Sequence, residues 1–261
     1  MDDKMNKKGQ VAMFIIIGVL VIGIIVLFFI FKDEIIPNGG GGKEITPDSF
    51  LKSCTEEKIR ETVGIISLQG GNMNPVFYKR FKFLEEGYFV NISYLCYNQN
   101  YYLPCINQEP MLINHLEDEI KNEIRTEMEY CFEELGNSLE NEGYVVDAIY
   151  NGFEVELKPK KIVVEINGEL TLTKTNESFR YENFTITVPS RIYELAIVAQ
   201  EITSQEAKYC NFEVLGFMLF YPEFHIDKFL TTDSITIYTI KHQDSEDKFR
   251  FAIRGCVIPP L

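Results

Sequence analysis

The sequence lacks the short motifs by which a single chain reveals an enzyme. It contains no nucleophile elbow, Walker loop, dinucleotide-binding glycine pattern or H-E-x-x-H helix. No C-x-x-C pair occurs, and His115, His225 and His242 are too scattered to favour a structural zinc site. We therefore predict a protein that is not an enzyme, and we assign no catalytic, cofactor-binding or metal-binding residue. A surface enzyme whose acid and base meet only on folding is an alternative.

Positive charge is also scarce. The formal net charge is −14, and residues 1–32 hold four lysines and two aspartates, so the remainder of the chain carries −16. Nucleic-acid binding depends on lysine and arginine side chains that displace counterions from phosphates, so this composition excludes nucleic acid as a partner. The same charge repels anionic lipid headgroups, and we expect the domain to stand away from the membrane surface.

What the sequence does contain, near its start, is one long apolar run. Residues 11–31 (VAMFIIIGVLVIGIIVLFFIF) carry no charge. At a rise of about 1.5 Å per residue they span roughly 30 Å, the thickness of a bilayer's hydrocarbon core. Backbone polar groups in lipid must be bonded within the segment, so we predict a transmembrane helix and a lipid bilayer as its partner.

The flanking charges predict the orientation of this helix. Residues 1–10 form a basic leader with three lysines, whereas the run is followed by one lysine and two acidic residues. The positive-inside bias therefore places the leader in the cytoplasm and residues 47–261 outside it. A cleaved secretory signal fits less well, because its apolar region is shorter and ends at a small-residue site.

The leader ends in Lys7-Lys8-Gly9-Gln10, directly before the apolar run. This junction resembles the class III signal of type IV pilin-like proteins. The resemblance implies cleavage between Gly9 and Gln10 on the cytoplasmic side, and it implies that the helix is kept in the mature protein. A filament subunit that polymerises through this helix is an alternative function. Two departures weigh against it: mature position five would be Phe14, where many pilins carry glutamate, and Pro37 with four following glycines interrupts the chain where pilin helices continue.

The same start, together with a helix that ends in residues 68–71 (Leu-Gln-Gly-Gly), resembles an uncharacterised family of membrane-anchored archaeal proteins. That resemblance implies a cell-surface protein and carries no known activity. Residues 32–46 contain the proline and the four glycines, and their composition predicts a flexible linker between anchor and domain.

All six cysteines follow the apolar run, and an even number in one compartment favours disulfide bonds. Reduced core thiols are the alternative, because free cysteine is often buried. The pairs that we favour are Cys54 with Cys131, Cys96 with Cys105, and Cys210 with Cys256.

Three N-x-S/T sequons become candidate glycosylation sites if the domain lies outside the cytoplasm. Their asparagines are Asn91, Asn176 and Asn183.

Apolar residues three to five positions apart predict helices at 47–68, 110–135 and 190–209, the last capped by Ser190. The middle helix carries many acidic residues, for which we predict a solvated face rather than a metal site. These residues are Glu117, Asp118, Glu119, Glu123, Glu127, Glu129, Glu133 and Glu134.

Alternating or continuous apolar residues predict strands along most of the remaining chain. The predicted strands are 76–83, 88–97, 144–149, 153–157, 162–166, 170–174, 184–188, 235–240 and 249–253. Residues 85–87 predict a turn between the first two strands and residues 242–247 a turn between the last two, so each of these pairs should form a hairpin. Asn167-Gly168 predicts another hairpin turn, because both residues tolerate positive φ. Strands mixed with about three helices, without a regular βαβ alternation, predict an α+β fold of mainly antiparallel sheet.

These patterns predict a single-pass membrane-anchored cell-surface protein. Its extracytoplasmic domain would serve binding or structural interaction with an unknown protein, an envelope component or a neighbouring copy.

Overall fold

A computed structural model describes residues 46–84, 86–175 and 177–256. The basic leader, the processing site at Gly9-Gln10, the predicted transmembrane helix at 11–31 and the linker up to Ile45 lie outside these residues. Within the described ranges, no helix is both long enough and apolar enough to cross a membrane.

The fold is α+β, as predicted. The described residues form four helices: α1 (Pro47–Leu68), α2 (Leu112–Asn141), α3 (Ile192–Tyr209) and α4 (Val214–Phe220). They also form nine strands: β1 (Tyr78–Lys82), β2 (Phe89–Tyr97), β3 (Ile106–Asn107), β4 (Val145–Lys158), β5 (Lys161–Lys174), β6 (Glu177–Pro189), β7 (Phe224–Leu230), β8 (Thr236–His242) and β9 (Lys248–Arg254).

The first helix begins and ends where its sequence predicts. The hydroxyl of Thr46 accepts the backbone N–H of Ser49, and Pro47 occupies the first turn, where its missing N–H costs nothing. At the other end the backbone reverses through Gly70 and Gly71, which both have positive φ.

The strands form two sheets. In the larger sheet the strand order is β1-β2-β9-β8-β7, and in the smaller sheet it is β4-β5-β6. The short strand β3 pairs with the end of β2. Pairing is antiparallel except between β2 and β9, which run parallel. The prediction of a mainly antiparallel sheet therefore holds for most pairs. The exception arises because β9 inserts between β2 and β8, after the chain has crossed the domain.

Helices α1 and α2 pack on each other and carry fully buried apolar stripes that include Leu51, Ile59, Leu116 and Ile124. Helix α1 contacts both β6 and β9, so it lies between the two sheets, while α3 packs on β8 and β9. One contiguous apolar core therefore joins both sheets through the helices.

The acidic face of α2 is only partly solvated. Asp118, Glu129 and Glu133 are exposed, as predicted. Glu117, by contrast, accepts the backbone N–H of Leu157, at 2.8 Å. Similarly, Glu119 accepts the N–H of Met73, and Glu123 pairs with Lys58 at 2.8 Å. These carboxylates fix α2 to neighbouring segments.

The hairpin predicted at Asn167-Gly168 is wrong. Both residues lie inside β5, where they oppose the single residue Asn183 of β6 and form a bulge. A Cβ on Gly168 would lie 2.9 Å from the carbonyl oxygen of Ile149 and 3.1 Å from the ring of Phe132. Glycine is therefore required here for close packing under α2, and not for a turn.

The true hairpin between β4 and β5 turns at residues 159–160, where Pro159 precedes Lys160, whose φ is +68°. The predicted strands 144–149 and 153–157 are accordingly one strand, as are 162–166 and 170–174. The hairpin of β1 with β2 and the hairpin of β8 with β9 are confirmed.

The start of α3 differs slightly from its prediction. The helix begins at Ile192 instead of continuing from a cap at Ser190, although the Ser190 hydroxyl does accept the N–H of Ile192 at 3.2 Å. The carboxylate of Asp247 accepts the N–H of Arg191 at 2.6 Å. A residue from the distant β8–β9 turn thus completes the cap.

Candidate binding groove

The larger sheet curls so that its first strand approaches its last. The rings of Phe81 in β1 and Phe229 in β7 have centroids 5.2 Å apart, and Lys79 forms an ion pair of 2.6 Å with Asp233, which follows β7. A small second core, which includes Ile92 and Ile237, fills the space under β1. The hairpin of β1 and β2 therefore covers part of the sheet face that points away from the helices.

Another part of this face is open and forms a groove of about 580 Å³. We call it the basic groove. Aromatic rings of Phe81, Phe83 and Phe229 line its walls. Its cationic groups belong to Lys241, Lys248 and Arg250, and its carboxylates to Glu86 and Asp227. Lys82 also borders the groove, but its ammonium group lies over the ring of Phe89, 6.0 Å from the centroid.

Arg250 forms the floor of the basic groove. Its side chain is only 5% exposed and lies under the ring of Phe83, 3.9 Å from the ring centroid. Two of its nitrogens donate to the carboxylate of Glu86 at 2.7 and 3.0 Å, and a third donates to the hydroxyl of Thr239. This bidentate hydrogen bond lowers the pKa of Glu86 below its usual value of 4.5, so Glu86 stays ionised and paired with Arg250.

The rim of the basic groove carries charges that water reaches. Lys241 is about half exposed and contacts Asp227 at 3.0 Å. Burial opposes ionisation of Asp227, but hydrogen bonds from Lys241 and His225 outweigh it and lower the pKa of this carboxyl. Lys248 lies at 3.5 Å from Glu86, a long contact that leaves its ammonium group accessible.

Three cations against two carboxylates leave the basic groove with an excess of positive charge. Another lysine, Lys228, borders the groove, but its ammonium group contacts Glu206 and Asn211 at 3.4 and 3.0 Å, so its charge is directed to those partners. The rest of the domain is strongly acidic. A local positive region with apolar walls attracts anionic groups and holds apolar ones beside them.

Comparison of this chain with protein-family models, with curated proteins and with solved structures finds no match. The arrangement of its own residues is therefore the basis for any statement about function.

A second polar cluster lies on the helix side of the larger sheet. Glu206 of α3 is buried, and its carboxylate accepts a hydrogen bond from the hydroxyl of Tyr238 and contacts Lys228. Burial, together with the adjacent Glu206 charge, raises the pKa of Tyr238, so the phenol stays protonated and donates. A cavity of about 170 Å³ adjoins the cluster beside Cys210 and Cys256. Each member has a partner, so the cluster joins α3 to the sheet.

The six cysteines form the three disulfides that the sequence favours. Cys54 is bonded to Cys131, Cys96 to Cys105, and Cys210 to Cys256, with Cα–Cα distances of 5.9, 5.4 and 5.5 Å. The first joins α1 to α2, the second closes the loop after β2, and the third joins the end of α3 to the residue that follows Gly255.

Cys54, Cys131 and Glu127 are also close enough together to resemble metal ligands. Their two sulfurs are bonded to each other and are not the thiolates that a metal ion requires. Among the described residues this is the one group of three such side chains, and it does not fit a metal site.

The candidate glycosylation sites occupy different environments. Asn183 is exposed in β6, at the bulge. Asn91 is half-buried in β2, opposite Arg80 of β1, where a glycan has less room. The side chain of Asn176 lies outside the described residues.

The residues of the basic groove are absent from the sites predicted by sequence. The available signal was the alternation of cations and aromatics in residues 78–83 (YKRFKF), which is unusual in so acidic a chain. Arg250 and Lys241 lie far from this run in sequence, and only the curl of the sheet brings them beside it.

Proposed function

We propose that this protein is a single-pass membrane protein whose domain lies outside the cytoplasm and binds an acidic protein segment through the basic groove. Residues 11–31 would hold the domain to the bilayer. The observation that carries the binding proposal is the basic groove itself, which gathers cations and aromatic rings on a chain of net charge −14. It is a binding function, and it requires no chemical step.

Three disulfides support the extracytoplasmic location. They join segments 77, 9 and 46 residues apart along the chain. Such bonds persist in oxidising compartments and are rare in the cytoplasm, where thiols are kept reduced. The lysine-rich leader before residues 11–31 supports the same topology.

The chemistry of the groove supports an acidic segment that also carries apolar side chains. Lys241 and Lys248 offer charge-assisted hydrogen bonds to carboxylates at the rim. Phe81 and Phe229 offer apolar contact between these cations. Since the rim is exposed, its charges should act mainly on the association rate and make binding sensitive to salt.

Titration of the purified full-length protein with a fluorescein-labelled peptide of alternating glutamate and leucine tests this proposal. We expect the Lys241→Gln, Lys248→Gln double variant to bind the peptide on the order of tenfold more weakly. The matched control is Lys121→Gln, Lys174→Gln, which removes the same charge from α2 and from the end of β5, since neither of these lysines lines the groove. Equal affinity in the groove variant and the unchanged protein, or an equal loss in the control, would show that the groove is not the site.

A further inference from the structure

Helix α4 has no polar residue. Its sequence is Val-Leu-Gly-Phe-Met-Leu-Phe, and it lies on the surface beside β7. A soluble protein normally places polar residues on the outer face of a surface helix, whereas a helix that is apolar all round is covered on all sides. The outer face of α4 therefore requires a covering that the described residues do not supply.

The inner face of α4 explains only part of this composition. The ring of Phe217 packs against Phe212 and Tyr221, with centroids 5.4 and 4.7 Å away. The sulfur of Met218 accepts the outward-facing N–H of Ile226 at 3.3 Å and so covers the edge of β7. These contacts, and the disulfide at Cys210 just before the helix, hold α4 in place.

The outer face carries three large side chains that contact mainly water. Leu215 is 69% exposed, Leu219 83% and Phe220 82%. Leu215 and Leu219 are four residues apart, so they adjoin on one side of the helix. Tyr221, half exposed, follows directly and offers a ring with a polar end, the kind of residue that prefers the boundary between lipid and water.

We infer that the outer face of α4 inserts into the surface of the bilayer that residues 11–31 are proposed to span, so this inference rests on the proposed function. Residues 32–45 are fourteen in number and can extend over at most about 50 Å, which keeps the domain close to the lipid. A tethered domain needs only a weak additional contact, because the tether supplies a high effective concentration of membrane surface. Leucine and phenylalanine on an interfacial helix supply such a contact.

A second copy of the chain is a poorer occupant. Seven helical residues are only about 10 Å long. A stable protein interface buries about 800 Å² on each partner, far more than three side chains of so short a helix can provide. The two carboxylates that flank α4, Glu213 and Glu223, would also face each other across such a contact. Glu213 and Glu223, like the acidic domain as a whole, are repelled by anionic headgroups, so the lipid surface that we infer for α4 is a neutral one. Contact with a neutral surface replaces the expectation that the domain stands away from the membrane.

Because the sequence contains no tryptophan, an introduced tryptophan gives a fluorescence signal from one known position. In the Leu219→Trp variant the single indole reports on the outer face of α4. Leu84→Trp is the matched control, because Leu84 is 99% exposed and lies next to β1 instead of α4. Both full-length variants are reconstituted into phosphatidylcholine vesicles, and their emission is recorded with and without brominated phosphatidylcholine. Leu215→Trp repeats the measurement should the first variant fail to fold.

We expect the indole at position 219 to emit at shorter wavelength than the indole at position 84 and to be quenched by the brominated lipid. Emission typical of water at both positions would overturn the inference. A blue shift that brominated lipid does not quench, and that grows with the ratio of protein to lipid, would also overturn it and indicate self-association. Failure of the protein to float with the vesicles would instead contradict the membrane anchor, and thus the proposed function.

Discussion

At the scale of single residues, the pair of Arg250 and Glu86 determines whether the basic groove exists. Arg250 is buried on the central strand β9, and Glu86 belongs to the turn that leads from β1 to β2. The pair therefore fixes the covering hairpin to the open sheet face. A buried guanidinium without its carboxylate would be an uncompensated charge, so removal of either partner is costly.

The Glu86→Gln variant should unfold more easily, by about 2 to 3 kcal/mol at neutral pH. The lowered pKa of Glu86 means that its contribution is complete above its ordinary value of 4.5 and is lost as pH falls below that value. The difference between the unchanged protein and the variant should therefore shrink in acid. Denaturant unfolding measured from pH 7 downward checks this, with the exposed Glu140→Gln as control. A difference that stays constant with pH would contradict the assignment.

Two glycines should respond to alanine in opposite directions. Gly168→Ala places a methyl group against the Ile149 carbonyl and the Phe132 ring, so we expect a loss of about 1 to 3 kcal/mol. Gly64 is exposed within α1 and has open space around its Cβ position, so Gly64→Ala should stabilise the protein by up to about 1 kcal/mol. Thermal unfolding of both variants tests these expectations. A Gly168→Ala variant as stable as the unchanged protein would contradict the packing described for the bulge.

At the scale of elements, the disulfides contribute according to the length of chain that each one closes. Cys54–Cys131 closes 77 residues and Cys96–Cys105 only 9. A chain-entropy model gives stabilisations of about 4.5 and about 2.6 kcal/mol. Cys54→Ala, Cys131→Ala should therefore lower the free energy of unfolding more than Cys96→Ala, Cys105→Ala does. The reverse order in denaturant titrations would show that α1 and α2 are held together chiefly by their apolar contact.

The elements also show where sequence patterns suffice. Helix α1 matches its predicted range because its capping residue, apolar stripe and terminal glycines act within a few residues of each other. The pattern at Asn167-Gly168 misleads, because Phe132, 36 positions before Gly168, occupies the space above that glycine. Residues 214–220 carry no periodic signal, since every position is apolar, and their helix follows from packing against β7.

At the scale of the whole molecule, charge and redox state predict the side of the membrane on which the domain lies. In whole cells, added protease should cleave residues beyond 46, whereas inverted membrane vesicles should protect them. The opposite result would show that the predicted topology is reversed. N-terminal sequencing of the native protein separately tests cleavage between Gly9 and Gln10.

The mass of the unreduced native protein tests whether its six cysteines form three disulfides. Three disulfides remove two hydrogens each, so the mass should lie about 6 Da below that of the reduced chain. An unshifted mass in protein isolated with its thiols blocked would indicate reduced cysteines and would remove the main support for an extracytoplasmic domain.

The sequence by itself determines the properties that depend on neighbouring residues or on composition: the apolar run, the acidic charge, the ends of α1, the hairpin of β1 with β2 and the α+β class. Tertiary structure alone decides the curl of the larger sheet, the parallel pairing of β2 with β9, the bulge at Gly168 and the convergence of Arg250 with Glu86. These features need residues far apart in the chain to meet, and their energies come from packing and burial that no local pattern encodes.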